Sequence, residues 1–145
     1  MKSFRAEVPV RFAHCDPAGI VFYPRYFEML SAIVEDWLAQ VLGTSVPTMA
    51  DTRRMLAPTA ALDVTFPCAS RFGDTLTFEC GVEAIGRSSC TLAVTATCGG
   101  ETRLTVRQVL VFVSADLLEP TPIPDDMRRR MVEYCATPAV SVEDR

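Results

Sequence analysis

Residues 12–27 decide how the chain is organised, and they read Phe12-Ala13-His14-Cys15-Asp16-Pro17-Ala18-Gly19-Ile20-Val21-Phe22-Tyr23-Pro24-Arg25-Tyr26-Phe27. The stretch holds the chain's single histidine and an acid that directly precedes a proline. A strand is predicted to end near Cys15, followed by a tight loop from Asp16 to Phe22. A helix is predicted to begin at Pro24, because proline is well tolerated at the first helical position.

Beyond the loop, apolar residues recur at the spacing of one helix face: Tyr26, Leu30, Ile33, Val34, Trp37, Leu38 and Val41. Gly43 is a suitable residue to end a helix. We therefore predict a helix over residues 24–42, near ~30 Å long at ~1.5 Å per residue. Its broad apolar face indicates deep packing against a sheet.

Alternating apolar and polar residues predict the strands of that sheet, over residues 4–12, 61–66, 75–85, 90–98 and 104–113. Pro9 lies within the first of them, which is typical of an edge strand, and Gly81 is a candidate bulge. The last three strands are joined by turns at Gly86-Arg87-Ser88-Ser89 and Gly99-Gly100-Glu101. A short helix is expected over residues 125–134.

This order of elements predicts a two-layer α+β domain that spans residues 1–145. One helix and five strands, three of them in a meander, have no βαβ rhythm. One face of a five-stranded, mostly antiparallel sheet can bury the helix. The other face must be solvated or covered by a second subunit, which suggests a homo-oligomer.

Composition and charge narrow the class of protein. The net charge of −4 argues against a nucleic-acid partner. None of the six cysteines forms a C-x-x-C pair, so no metal site is predicted. We find no N-terminal apolar h-region and no run of about 18 apolar residues, so no membrane association is expected. The expectation is a cytoplasmic protein with reduced thiols.

The run from Asp16 to Tyr26 resembles the signature of hotdog-fold acyl-CoA thioesterases of the 4-hydroxybenzoyl-CoA thioesterase type. The wider family pattern is an acid, two residues, a glycine, a hydrophobic residue, an aromatic or hydrophobic residue, and then a tyrosine or histidine that opens the helix. The related YbgC-like branch typically has histidine where Pro24 stands. Element order and length match as well, so the resemblance covers the whole chain. It implies a hotdog fold, in which a sheet of five mostly antiparallel strands wraps a long central helix.

The resemblance also implies an activity and its catalytic residues. Such enzymes hydrolyse an acyl-CoA, here by resemblance an aryl, 4-hydroxybenzoyl-like one, and need no cofactor because CoA is part of the substrate. Asp16 corresponds to the catalytic carboxylate, which acts as nucleophile or as general base. The backbone N–H of Tyr23 corresponds to the donor that polarises the thioester carbonyl.

Substrate contacts and assembly are further expectations. Arg87 and Ser88 occupy the turn that contacts the CoA phosphates in the family, which binds CoA at a subunit interface in dimers or dimers of dimers (homotetramers). Gly19 allows the loop backbone to approach a ligand, since it has no Cβ. Phe22 is a candidate wall of the acyl pocket.

The chemistry of a thioester fits these residues. A thiolate is a fairly good leaving group, since thiols ionise near pKa ~8.5, so a single carboxylate without histidine suffices. The first N–H groups of a helix are unpaired and carry the positive end of its dipole. Because Pro24 has no N–H, Tyr23 and Arg25 offer the nearest donors.

Alternatives remain open at the level of the sequence. Asp16 before Pro17 is also typical of a turn acid. His14 is either a base or a hydrogen-bonded wall residue, and the second role is favoured, while Cys15 is expected to be buried rather than nucleophilic. Other functions are a short- or medium-chain aliphatic acyl-CoA thioesterase, a hotdog hydratase or dehydratase, and a non-catalytic acyl-CoA-binding protein.

Overall fold

The computed structural model describes residues 2–135 and 141–142. In chain order the elements are β1 (Phe4–Pro9), α1 (Pro24–Gln40), α2 (Val46–Thr52), β2 (Met55–Leu56), β3 (Thr59–Thr65), β4 (Thr75–Gly86), β5 (Ser89–Cys98), β6 (Glu101–Val111), β7 (Val113–Ser114), α3 (Asp125–Val132) and β8 (Ser141–Val142).

The main sheet has the strand order β1-β4-β5-β6-β3, with antiparallel pairing between all neighbours. The predicted α+β class and mainly antiparallel sheet are confirmed. The structure adds β8, which pairs in parallel with the end of β4, and a small β2–β7 sheet. The strand predicted to reach Val113 is interrupted at Phe112, so that β6 ends and β7 begins there.

Helix α1 buries the face that its sequence predicts. All seven residues of the predicted stripe are buried, together with Met29. They share one core with the inward-facing residues of β4 and β5, such as Phe78 and Leu92. Burial of each large apolar side chain contributes about 1.5–3 kcal/mol, so this face fixes α1 on the sheet. Gly43 adopts a φ of +74° just beyond the helix, which ends at Gln40.

The prediction for the first strand was wrong beyond Pro9. β1 lies at an edge of the sheet, as expected, but Phe12 belongs to a 3-10 turn (Phe12–His14) and is 81 % exposed. The strand ends early because hydrogen bonds to residues distant in the sequence turn the chain away from the sheet. Val10 donates its N–H to Asp74 (2.7 Å) and accepts that of Gly73 (3.2 Å), and the chain then turns away.

The predicted bulge at Gly81 was also wrong. Gly81 pairs in register with Ala93, whereas the irregularity of β4 lies between Val82 and Ala84. The extra residue there is Glu83, whose carboxylate binds the guanidinium of Arg107 on β6. The bulge therefore accommodates a charged residue rather than a glycine.

Candidate active site

A small hairpin carries Asp16 at its tip. The N–H of Phe22 donates to the carbonyl of His14 (2.9 Å), and the N–H of Asp16 donates to that of Ile20 (3.0 Å). Gly19 closes the tip by donating to the Asp16 carbonyl (2.9 Å) and has a φ of +80°. Such a φ is strained for any residue with a Cβ, so glycine is needed here for the backbone conformation.

The side chain of Asp16 is half-buried and has one oxygen engaged. Its Oδ1 accepts the N–H of Ala18 (2.9 Å), an arrangement typical of a turn acid. Within residues 2–135 no group bonds the other oxygen, so it is available to a substrate or a water molecule. A cavity of about 330 Å³ lies beside the carboxylate, and Phe12 and Phe72 form part of its wall.

The start of α1 presents one free backbone donor. Tyr23 precedes Pro24, and its N–H has no acceptor in the part of the chain that the structure describes. The expectation that Arg25 offers a second donor was wrong, because its N–H donates to the Phe22 carbonyl (2.8 Å). The tight first turn of the helix thus uses the Arg25 amide and leaves that of Tyr23.

A second segment braces the hairpin and the helix start together. The carbonyl of Ser70 accepts the N–H of Val21 (2.9 Å), and the N–H of Phe72 donates to Gly19 (3.1 Å). From the helix, the Tyr26 hydroxyl donates to Ser70 Oγ (2.8 Å), and both residues are buried. Sequence reasoning missed Ser70, because no spacing in the sequence links residue 70 to the first turn of α1.

Asp74 organises the turn that follows this segment. Its Oδ2 accepts the N–H of Arg71 (2.9 Å) and a guanidinium N–H of Arg103 (2.7 Å). Arg103 also reaches the carbonyl of Ala69 (3.1 Å). These contacts, the Arg71 backbone hydrogen bond first and the Arg103 guanidinium second, lower the pKa of the Asp74 carboxyl.

The single histidine has a structural role. Its Nδ1 accepts the N–H of Arg11 (2.9 Å), which fixes the 3-10 turn, and its carbonyl closes the Asp16 hairpin. The lone pair of Nδ1 is therefore already used. Cys15 is half-buried and its thiol lies 3.6 Å from the Arg11 carbonyl oxygen.

Exposed aromatic rings cover the approach to the helix start. Phe22, the predicted wall residue, is 49 % exposed and stacks edge-on against Tyr23. The Tyr23 ring in turn lies 6.2 Å from the ring of Phe66. Phe66 directly follows β3, so the Tyr23 ring lies beside the carboxyl end of that strand.

The two residues predicted to contact CoA lie in the β4–β5 turn. Arg87 is exposed and forms no ion pair among the described residues. Arg128, from α3, donates to the carbonyls of Gly86 (2.8 Å) and Arg87 (3.2 Å), which places a second guanidinium at this turn. Ser88 is only 1 % exposed, so its side chain does not face solvent.

The described residues show neither a metal-type cluster nor a membrane-spanning helix. Among the described residues, no group of three or more His, Cys, Asp and Glu side chains has a geometry that suits a metal ion. None of the described helices combines the length and the apolarity that crossing a membrane requires.

Comparison with known families decides the class. The model of the thioesterase-like superfamily matches residues 10–131. The chain belongs to this superfamily. A similar curated member is the 4-hydroxybenzoyl-CoA thioesterase of Pseudomonas sp. (strain CBS-3), 26 % identical over 143 residues, which covers 93 % of this chain and 99 % of the relative.

Solved structures of thioesterases share the fold. A 4-hydroxybenzoyl-CoA thioesterase, an aspartate-to-asparagine mutant in complex with 4-hydroxybenzoyl-CoA, superposes with a TM-score of 0.81 at 23 % identity, covering 90 % of this chain and 99 % of the other. A 1,4-dihydroxy-2-naphthoyl-CoA thioesterase from Synechocystis gives 0.82 at 16 % identity, covering 91 % and 97 %. The resemblance stated from the sequence is confirmed, and the chain is a thioester hydrolase with a hotdog fold.

Proposed function

We propose that this thioesterase hydrolyses an aryl acyl-CoA, of the 4-hydroxybenzoyl type, to the free acid and CoA. The observation that carries the proposal is that one Asp16 carboxylate oxygen and the Tyr23 N–H both lack a partner among the described residues. The braced hairpin joins the two groups, since Phe22 closes the hairpin and directly precedes Tyr23. The aryl preference is supported by the curated relative and by both structural neighbours, which are named for hydroxyaryl-CoA substrates.

In the proposed reaction, Asp16 acts at the carbonyl carbon of the thioester and the Tyr23 N–H acts at its carbonyl oxygen. The Asp16 carboxylate attacks the thioester carbonyl carbon, or takes a proton from a water molecule that attacks it. The carbonyl oxygen gains negative charge, which the Tyr23 N–H and the positive end of the α1 dipole stabilise. The carbon–sulfur bond then breaks and the CoA thiolate leaves. If water attacked, this step yields the free acid. If Asp16 attacked, a mixed anhydride of Asp16 and the acyl group remains, and water hydrolyses it to the free acid and the Asp16 carboxylate.

The nucleotide end of CoA is assigned to the β4–β5 turn. Arg87 and Arg128 supply two cations there, which suits phosphate oxygens. The buried Ser88 is better suited to support the turn than to contact the ligand. The proposal includes a homo-oligomer, since the family binds CoA at a subunit interface.

The test is hydrolysis of a panel of aryl and aliphatic acyl-CoA thioesters by the wild type and by Asp16→Asn. We expect aryl thioesters to be preferred and Asp16→Asn to lower kcat/KM by on the order of 100-fold or more. Asp51→Asn is the matched control, because Asp51 is exposed on α2. Full activity of Asp16→Asn would refute the mechanism. A preference for short or medium aliphatic chains would refute the proposed aryl substrate and favour an aliphatic acyl-CoA instead.

A single turnover in H₂¹⁸O, combined with a rapid acid quench, separates the two roles of Asp16. Label in Asp16, or an acyl group trapped on Asp16 by the quench, would show that the carboxylate is the nucleophile. Label in the product alone, with no acyl group trapped on Asp16, is the result expected for a general base.

A further inference from the structure

A groove separates α1 from the β3 edge of the sheet. It encloses about 350 Å³, and its walls include Phe27, Leu30 and Ser31 from the helix and Leu62, Gln108 and Leu110 from β3 and β6. Most of these side chains are apolar. The helix therefore leaves part of the inner sheet face uncovered, in a space suited to a flat apolar group.

One wall residue of the groove, Phe27, lies on the same face of α1 as Tyr23, four residues further along the chain. Tyr23 contacts Phe66 at the carboxyl end of β3. Phe27 lies one turn further along α1, ~6 Å at 1.5 Å per residue. Leu62, another wall residue of the groove, lies on β3, four residues before Phe66. A group attached to a carbonyl at the Tyr23 amide would therefore extend between Phe27 and Leu62 into the groove.

One polar atom in this groove lacks a partner. Gln108 is 6 % exposed, and its Nε2 donates to Thr59 Oγ1 (2.9 Å). Its Oε1 is buried and accepts no hydrogen bond from the described residues. Both Gln108 and Thr59 line the groove. Buried carbonyl oxygens are rarely left unpaired in folded proteins, so this atom is a candidate ligand contact.

We propose that Gln108 Oε1 accepts a hydrogen bond from a ring hydroxyl of the acyl group, which makes Gln108 a specificity-determining residue for hydroxyaryl thioesters. The inference rests on the proposed function and deepens it. Nε2 donates to Thr59, so the amide oxygen is the atom left without a partner, and an acceptor selects a ligand O–H. The apolar walls from Phe27, Leu30 and Leu110 accommodate the ring.

The same geometry predicts which acyl groups are disfavoured. An unsubstituted ring or an aliphatic chain would leave Oε1 buried and unpaired. A ring carboxylate would bring two acceptors together. Sites built to bind a substrate hydroxyl discriminate strongly against analogues that lack it, because the site's polar group then loses its partner.

The experiment compares kcat/KM for 4-hydroxybenzoyl-CoA, benzoyl-CoA and 4-fluorobenzoyl-CoA. Fluorine occupies the hydroxyl position but donates no proton. The variants are Gln108→Leu and Gln108→Met, the second of which keeps an unbranched side chain in case the first folds poorly. Gln40→Leu is the control, since Gln40 is the chain's other glutamine and lies exposed at the end of α1.

We expect the wild type and Gln40→Leu to prefer the hydroxyl substrate over both analogues by at least about tenfold. The Gln108 variants should lose most of that preference, through a lower kcat/KM for the hydroxyl substrate and unchanged or higher values for the analogues. A preference that survives in both variants, or that is missing from the wild type while benzoyl-CoA is hydrolysed, would overturn the assignment. If the wild type hydrolyses none of the three thioesters, the proposed function itself is refuted.

Discussion

The hydroxyl pair between Tyr26 and Ser70 links α1 to the segment that braces the Asp16 hairpin. We expect Tyr26→Phe to lower the free energy of unfolding by about 1–2 kcal/mol, because it leaves the buried Ser70 hydroxyl without its donor. Urea denaturation measures this change. A parallel fall in kcat/KM is expected, because the same pair sets the position of the Tyr23 amide relative to Asp16.

Tyr134→Phe provides the control for that substitution. Tyr134 is half-buried, and its hydroxyl forms no hydrogen bond with any residue that the structure describes. Removing this hydroxyl should change stability by less than about 0.5 kcal/mol. Equal losses in the two variants would contradict a specific role for the Tyr26–Ser70 pair.

At the residue scale, the sequence predicted groups whose role depends on their neighbours along the chain. Asp16 lies in the loop and Tyr23 at the helix start, as the local motif predicts, and their catalytic roles stay a prediction. Ser70 and Gln108 were missed, because their partners, Tyr26 and Thr59, lie 44 and 49 residues away. A pattern of neighbouring residues cannot predict contacts between residues so far apart in the sequence.

At the scale of elements, the stability of the turn around Asp74 is expected to depend on pH. Its carboxyl pKa is lowered below the ordinary value of 3.8 by the Arg71 N–H and by Arg103. A group with a depressed pKa stabilises the folded state above its unfolded pKa, and that contribution is lost as pH falls through the folded pKa. Acidification below about pH 4 should therefore weaken the Asp74 turn.

Asp74→Asn tests this coupling. We expect lower stability than the wild type at pH 7 and a smaller further loss between pH 5 and about pH 2, as measured by urea denaturation across that range. The remaining acid sensitivity is expected from Asp126, whose pKa is lowered by Arg53. The exposed Asp51→Asn should follow the wild-type curve, and an unchanged pH dependence in Asp74→Asn would exclude the coupling.

Periodicity explains which elements were predicted correctly. The apolar face of α1 and the alternating apolar residues of β4 and β5 are the side chains that are buried. The core residues of these elements were therefore predicted correctly. The end of β1 was missed because the ladder is closed by residues 73 and 74, a contact distant in sequence. The alternation of apolar and polar residues continues in the sequence through Phe12, although the strand ends at Pro9.

At the scale of the whole molecule, the β3 edge of the sheet carries exposed apolar side chains. Among residues 2–135 and 141–142, β3 pairs with β6 and with no other strand. Leu62 and Phe66 are 44 % and 41 % exposed beside the exposed Tyr23 ring. Soluble proteins usually cover or charge such edges, and β3 has a single acid, Asp63, along its length. A second copy of the chain is the partner that the proposed function requires.

We therefore expect light scattering after size exclusion to give a mass of two or four times 15.9 kDa. Leu62→Lys should shift this mass towards one chain, because a charge on the edge opposes its burial against a partner. Leu117→Lys should leave the mass unchanged, since Leu117 is 72 % exposed in the turn after β7 and does not belong to β3. A wild type that elutes as a single chain at micromolar concentration, with full thioesterase activity, would show that the site is complete without a partner.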